Sequence, residues 1–342
     1  MKRFTKAALP FVVVSALALA GCSSDDADTA NAEGSSDALS GTVTLYTSEP
    51  QEKIDEIIAG FTEQHPDVTV ETFRAGTGEL TARIATEQET GEVQADVLLA
   101  ADVPTFEAYV EDDMLAPLEV DNVTELDETY VDSEGYWVGT RVIPTVLAYN
   151  TDVVDSPPES WQELTDEEYA GQISMPNPDV SGAAAFNAAV WLDDENLGED
   201  WLDDVMDNDP TILESNGPVG QAVADGTTGV GVVVDYLARE LGEQGSPIDL
   251  VYPTDGAPYV SQPAGVFSDT ENPEVANAFI DYLISEEGQT TAVEQSYLPV
   301  RSDVGVPEGA PEMDDLELLD PDLDHIAEIQ SESVDHFNSL LN

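Results

Sequence analysis

Two short turns carry the densest ligand-holding chemistry in the sequence: Gly76-Thr77-Gly78 and Ser181-Gly182-Ala183. Each stands between a β-rich run and a helix-forming run. Glycine lets backbone N–H groups approach a ligand with no side chain in the way. A helix N-terminus adds unpaired donors and positive potential, so each turn is suited to receive an anion. Thr77 and Ser181 add hydroxyls there, and either also suits a helix N-cap. By the same placement at strand ends, Thr47, Ser48 and Glu49, Ala101 and Asp102, Asn216, Asp235 and Tyr236, and Asp255 join the candidate binding set. Asp235 is expected to accept hydrogen bonds from hydroxyls or an ammonium group. Arg141 is a candidate bidentate partner for a phosphate or phosphonate, whereas Arg74 reads as a structural ion pair. Tyr46, Tyr149, Tyr252 and Tyr259 are read first as core or wall residues. The chain offers no Ser-His-Asp set, no metal-ligand cluster, one cysteine at position 22 and three histidines. Such a set holds a solute and does not transform it, so no catalysis, cofactor or resident metal is expected.

The elements that must position these residues alternate in a regular order. Val43–Tyr46, Val68–Phe73 and Asp96–Ala100 read as strands. Apolar positions at helical spacing follow each one, Ile54, Ile57, Ile58 and Phe61 being the first such set. Ser48 with Gln51 makes a capping box for that first helix. The order returns after Trp161, with strands at Ile173–Met175, Thr211–Leu213, Val230–Val234 and Ile248–Tyr252. Two βα sets imply an α/β chain with two sheets, and ligands of open α/β sheets sit beyond the carboxyl ends of the strands. Thr140–Asn150 and Pro258–Phe267 are β-rich, contain prolines and read as two hinge crossings. The expected division is 41–142 plus 265–342 for lobe one and 143–264 for lobe two.

Lys2, Arg3 and Lys6 precede an apolar run from Ala7 to Ala20, the pattern of a secretory signal over 1–21. Cys22, directly after Ala20-Gly21, is the expected lipidation point, and 22–40 reads as a flexible tether with little apolar content. The formal charge is −63, and removing the signal leaves six cations against 72 acids, or −66. With 41% hydrophobic residues this describes a folded body with a carboxylate skin. Nucleic-acid binding, which needs clustered Lys and Arg, is excluded.

The spaced set Leu45-Tyr46-Thr47-Ser48, Phe73-Arg74-Ala75-Gly76-Thr77-Gly78-Glu79-Leu80, Ala95-Asp96-Val97, Gly231–Tyr236 and Val251–Gly256 resembles family 1 extracellular solute-binding proteins. The helix ending Ser285–Gln289 and the later Tyr297-Leu298-Pro299-Val300-Arg301 complete the resemblance. More narrowly it is similar to the ferric-ion, phosphonate, hexose-phosphate and thiamine binders. The resemblance implies a two-lobed type II periplasmic-binding-protein fold, each lobe a mixed sheet flanked by helices. It implies a substrate-binding lipoprotein of an ABC importer, a monomer on the outer face of the cytoplasmic membrane that meets an ABC permease. Ferric members of the group use adjacent tyrosines. Here Asp235 precedes Tyr236, which breaks that pair and disfavours iron. A phosphorylated sugar or aminophosphonate is the leading solute. Thiamine or its phosphate, and ferric ion, are the alternatives in the same family, and a phosphoester-processing enzyme on the same fold is the alternative from another class.

Overall fold

The computed structural model describes residues 38–319 and 321–341. In chain order the first stretch gives β1 (Ser40–Thr47), α1 (Gln51–Gln64), β2 (Asp67–Arg74), α2 (Thr77–Thr90), β3 (Val97–Leu99), α3 (Val103–Glu111), β4 (Leu115–Ala116) and β5 (Trp137–Gly139). The middle gives β6 (Ile143–Asn150), β7 (Ile173–Pro176), α4 (Gly182–Asp193), α5 (Gly198–Asp207), β8 (Thr211–Leu213), α6 (Asn216–Ala224), β9 (Val230–Val234), α7 (Asp235–Glu243), β10 (Ile248–Val251) and β11 (Tyr259–Val260). The last stretch gives β12 (Pro263–Phe267), α8 (Pro273–Leu283), α9 (Glu286–Glu294) and α10 (Leu323–Ser339).

These strands make two mixed sheets. One runs β2-β1-β3-β12-β4, with β5 also on β12; β1 is parallel to β2 and β3, and β12 is antiparallel to its neighbours. The other runs β10-β6-β9-β7-β8, with β11 on β6; β7 is parallel to β8 and β9, and β6 is antiparallel to β9 and β10. Continuous apolar runs such as Val230–Val234 are buried along their whole length because helices cover both faces. On the first sheet, Ile54, Ile57 and Phe61 of α1 pack with Val275, Phe279 and Ile280 of α8, while Leu80, Ile84 and Phe106 share a second cluster with Leu98. On the second sheet α4 is buried from Gly182 to Trp191, which suits its alanine-rich sequence with no polar face. Beside it Trp161, Trp191 and Trp201 pack in series with tilted rings, ring centroids 5.1 and 5.4 Å apart.

The backbone passes between the sheets at 140–142, from β5 to β6, and at 261–262, from β11 to β12. Most of Thr140–Asn150, read above as a crossing, is therefore strand. A division at residue 264 falls inside β12, which pairs with the first sheet. A third segment supports the passage where Val142 bridges Leu298.

Several local expectations change. Pro50, not Ser48, stands at the N-cap of α1, and no side chain caps that helix. Ser48 instead accepts from the Ala101 N–H at 3.3 Å. Ser285 does not end a helix but starts α9, its hydroxyl accepting from Gly288 N at 3.1 Å. Near the C-terminal end α10, which no sequence pattern above marked, is capped by Asp322 and packs on α3 of the first layer and α4 of the second. No helix among the described residues is long and apolar enough to cross a membrane. The signal segment, Cys22 and nearly all of the tether lie outside the described residues.

Candidate functional site

The carboxyl ends of β1, β2 and β3 converge, as do those of β7, β8 and β9. In the first group Ala75 N donates to Thr47 O at 3.1 Å and Ser48 N to Leu99 O at 3.2 Å. In the second, Asn177 N donates to Leu213 O at 2.8 Å, and Asn216 Nδ2 to Ser181 Oγ at 3.0 Å. Val234 N in turn donates to Asn216 Oδ1 at 3.2 Å.

The two ends face each other across one seam, and the glycine turns meet there. A methyl group on Gly182 would stand 2.4 Å from the Ala101 carbonyl oxygen; one on Gly78 would stand 2.1 Å from Asp179 O, and one on Gly76 2.8 Å from Val180 O. Glycine is required at these positions by contact between layers. Ser181 caps α4, accepting from Ala184 N at 3.3 Å, and Ala183 is buried behind it. Thr77 caps nothing: Gly76 holds the N-cap of α2, and the Thr77 hydroxyl points toward Gly182. Gly78→Ala makes a sharp test, since alanine favours α2 by helix propensity and collides only across the seam. The variant is expected to show a larger radius of gyration by small-angle scattering and an unchanged circular-dichroism spectrum. An unchanged radius would show that the seam tolerates the methyl group.

Beside the turns lies a buried polar cluster. Glu49, two residues after β1, is 1% exposed, and Arg141, in the first crossing, is 2% exposed. Glu49 Oε1 accepts from the Tyr297 hydroxyl at 2.7 Å and lies 3.2 Å from Arg141 Nη1; Oε2 accepts from Gln262 Nε2 at 2.7 Å. The Arg141 guanidinium stands 4.6 Å from the centre of the Tyr297 ring, and the Tyr236 and Tyr297 rings are 4.4 Å apart. Arg141 Nε and Nη1 have no hydrogen-bond partner, so the guanidinium keeps donor capacity in a buried place. Burial first, and the charge of Glu49 second, push the Tyr236 and Tyr297 hydroxyls well above the usual phenol range. Both are neutral donors at physiological pH.

Lys53 of α1 joins this cluster, its ammonium 4.7 and 4.4 Å from the Tyr236 and Tyr297 ring centres and ion-paired with Glu240 of α7. Burial lowers its pKa, and Glu240 opposes that shift.

The other candidates divide. Asp235 is engaged within the protein: Arg239 Nη1 donates to it at 2.6 Å, Tyr252 OH at 3.0 Å and Tyr236 N at 2.7 Å. Its expected role as a free acceptor for a ligand does not fit that saturation, although burial raises its pKa. Asp102 stands at the seam. It accepts from Thr105 Oγ1 and, at 3.1 Å, from Gln330 Nε2 of α10, and burial raises its pKa to about 6. Asp255 is away from the seam, accepting from Trp161 N at 3.0 Å. Arg74 donates to the Glu49 carbonyl at 3.2 Å, so it supports the cluster through backbone and not through an ion pair. Tyr46 donates to Glu87 at 2.7 Å in the first-layer core, and Tyr149 reaches Asp249 at 3.4 Å.

Lys53, Gln262 and Arg239 were not among the residues singled out from sequence, and Tyr297 entered only through the family resemblance, not as a binding candidate. The available signal was scarcity. Of the six Lys and Arg after the signal, Lys53, Arg74, Arg141 and Arg239 all gather here. Among the described residues no group of three or more His, Cys, Asp or Glu is placed to hold a metal ion.

Comparison with known proteins places this geometry. The sequence profile of the family described as bacterial extracellular solute-binding protein matches residues 93–326. The Fe(3+)-binding periplasmic protein of Serratia marcescens is 25% identical over 256 residues, 72% of this chain and 75% of that protein. A putative 2-aminoethylphosphonate-binding periplasmic protein of Salmonella typhimurium is 26% identical over 256 residues, 69% of this chain and 71% of that one. The structure of the periplasmic binding protein AfuA from Actinobacillus pleuropneumoniae, with exogenous fructose-6-phosphate bound, superposes with a TM-score of 0.79 at 21% identity, covering 87% of this chain and 98% of the other. The fold is accordingly that of the two-lobed type II periplasmic binding proteins.

Proposed function

We propose, since this chain belongs to the family of bacterial extracellular solute-binding proteins, that it captures a small anionic or zwitterionic solute at the seam between its lobes. The solute is of phosphonate or sugar-phosphate type. Members of this family bind a solute and present it to a membrane permease of an ABC importer. The finer reading is that this chain does so without turnover, as a monomer, anchored by lipid at Cys22.

One observation carries the choice of anion: in a chain of net charge −63, four of the six Lys and Arg beyond residue 21 surround one buried cluster, and there Arg141 Nε makes no hydrogen bond while Nη1 is held only by its ion pair with Glu49. A guanidinium with open N–H groups inside a low-dielectric seam binds an oxyanion far better than one in water. The neutral phenol of Tyr236 adds a hydroxyl donor, while the Tyr297 hydroxyl is already given to Glu49 and holds that carboxylate beside Arg141. Lobe closure would bring these groups around the solute, shifting an open–closed equilibrium by the difference in affinity between the two states.

A second reading, ferric ion as cargo, has one point in its favour. The partner tyrosine missing beside Tyr236 in sequence is supplied in space by Tyr297, with the Glu49 carboxylate on its hydroxyl. Against it stand Lys53 over both rings, Arg141 over the Tyr297 ring and the raised phenol pKa values, all of which oppose a tricationic ion.

Calorimetric titration of the mature chain with ethylphosphonate, 2-aminoethylphosphonate, fructose 6-phosphate and ferric citrate separates the two. The expected result is binding of at least one phosphorus oxyanion with Kd of about 1 µM or tighter. No heat with any oxyanion, together with a visible tyrosinate-to-iron band on loading with iron, would reject the anion reading.

A further inference from the structure

Lys53 presents a chemical oddity. Its ammonium is nearly buried and lies close to the Arg141 guanidinium, which opposes its charge, yet it sits on two tyrosine faces as a ligand cation would. It reaches there from α1, over the first sheet, and pairs with Glu240 on α7, over the second. A surface pocket of about 380 Å³ opens beside it, lined by Glu52, Glu56, Glu240, Glu243 and Glu294. Moving inward, the charge pattern therefore runs from carboxylates at the mouth to Lys53 on the aromatic faces and then to Arg141 and Glu49.

We propose that Lys53 is a tethered ammonium holding the place of a ligand's own cationic group, and that it sets whether this site prefers bare oxyanions or zwitterions. The inference rests on the reading of the seam as an oxyanion site. With its anionic end on Arg141, a solute as short as an aminoalkyl phosphonate directs its ammonium outward toward the tyrosine faces and the glutamate mouth. Lys53 already fills those faces. Because it is covalently attached, it competes at a high effective concentration whatever the solute concentration. A bare oxyanion leaves Lys53 in place and gains a second positive charge. A zwitterion must displace it, and Glu56, three residues along the same helix, can receive the released ammonium.

The test uses the mature chain, Lys53→Met and Lys53→Arg, titrated with ethylphosphonate and with 2-aminoethylphosphonate, which share the anion and differ in the ammonium. Methionine preserves the apolar stem, and Glu240 is a quarter exposed and keeps its hydration when the ion pair is lost. The ratio of the two dissociation constants should move toward the aminophosphonate by about tenfold in Lys53→Met, the worth of a desolvated cation–π contact, and stay near the wild-type ratio in Lys53→Arg. An equal ratio in all three proteins overturns the proposal while leaving the oxyanion site intact. If neither phosphonate binds any of the three, the oxyanion reading fails and tetramethylammonium decides the role of Lys53. Binding to Lys53→Met but not to wild type supports the tethered competitor, and binding to neither overturns it.

Discussion

Arg141→Met is expected to remove oxyanion binding and, at the same time, to destabilise the fold by about 3–5 kcal/mol. The two effects have different origins. Binding falls because the guanidinium, whose Nε makes no hydrogen bond, is gone, a loss of roughly a hundredfold or more for a desolvated charged contact. Stability falls because Glu49, 1% exposed, keeps only the Tyr297 hydroxyl and the Gln262 amide to support its charge. Adding Glu49→Gln should separate them. The neutral amide removes the buried charge, so most of the stability returns in urea unfolding, while calorimetry still shows no oxyanion binding. Wild-type affinity in Arg141→Met would place the anion elsewhere and end the assignment of this cluster.

Raising potassium chloride from about 0.1 M to about 2 M should raise the thermal midpoint by roughly 10 °C. Six cations against 72 acids beyond residue 21 leave almost no internal compensation, so the folded state is opposed by the mutual repulsion of its own carboxylates. Salt shortens the range of that repulsion from about 10 Å to a few ångströms. Buried pairs such as Arg239–Asp235, 2.6 Å apart and out of water, are little affected by the same screening. Association with a phosphonate should also become faster as salt rises, the reverse of ordinary electrostatic steering, because the solute approaches a field of its own sign. A midpoint that is flat or falls over this range would show that repulsion between surface carboxylates does not limit the stability of the folded chain.

Much of the architecture was legible because it depends on local pattern. The βα alternation, the glycine turns at strand ends and the identity of the lobes' sheets follow from periodicity and residue type, and Gly76, Gly78 and Gly182 do meet across one seam. The residues that were not legible depend on sequence-distant contacts. Tyr297 reaches Tyr236 from 61 positions away, as their numbers give, and Lys53 meets Glu240 through two helices on different sheets. Nothing in the neighbourhood of either residue announces that contact. The helix α10 was missed for another reason: its polar residues Asp324, Glu328, Glu332 and Asp335 dilute the apolar stripe, and its order comes from packing on α3 and α4. Asp255 had the right residue type at a strand end, yet its loop turns back to hold Trp161.

The contiguous indoles of Trp161, Trp191 and Trp201 determine how this molecule can be watched. All three lie in one hydrophobic cluster beneath the second sheet, and the fourth indole, Trp137, donates to Glu107 on the first. Near-ultraviolet dichroism and red-edge emission will therefore be dominated by an exciton-coupled trio in one half of the chain, a faithful gauge of that half's melting. Solute capture at the proposed cluster of phenols and a guanidinium would be nearly silent in that channel and is better followed through tyrosine-selective absorption.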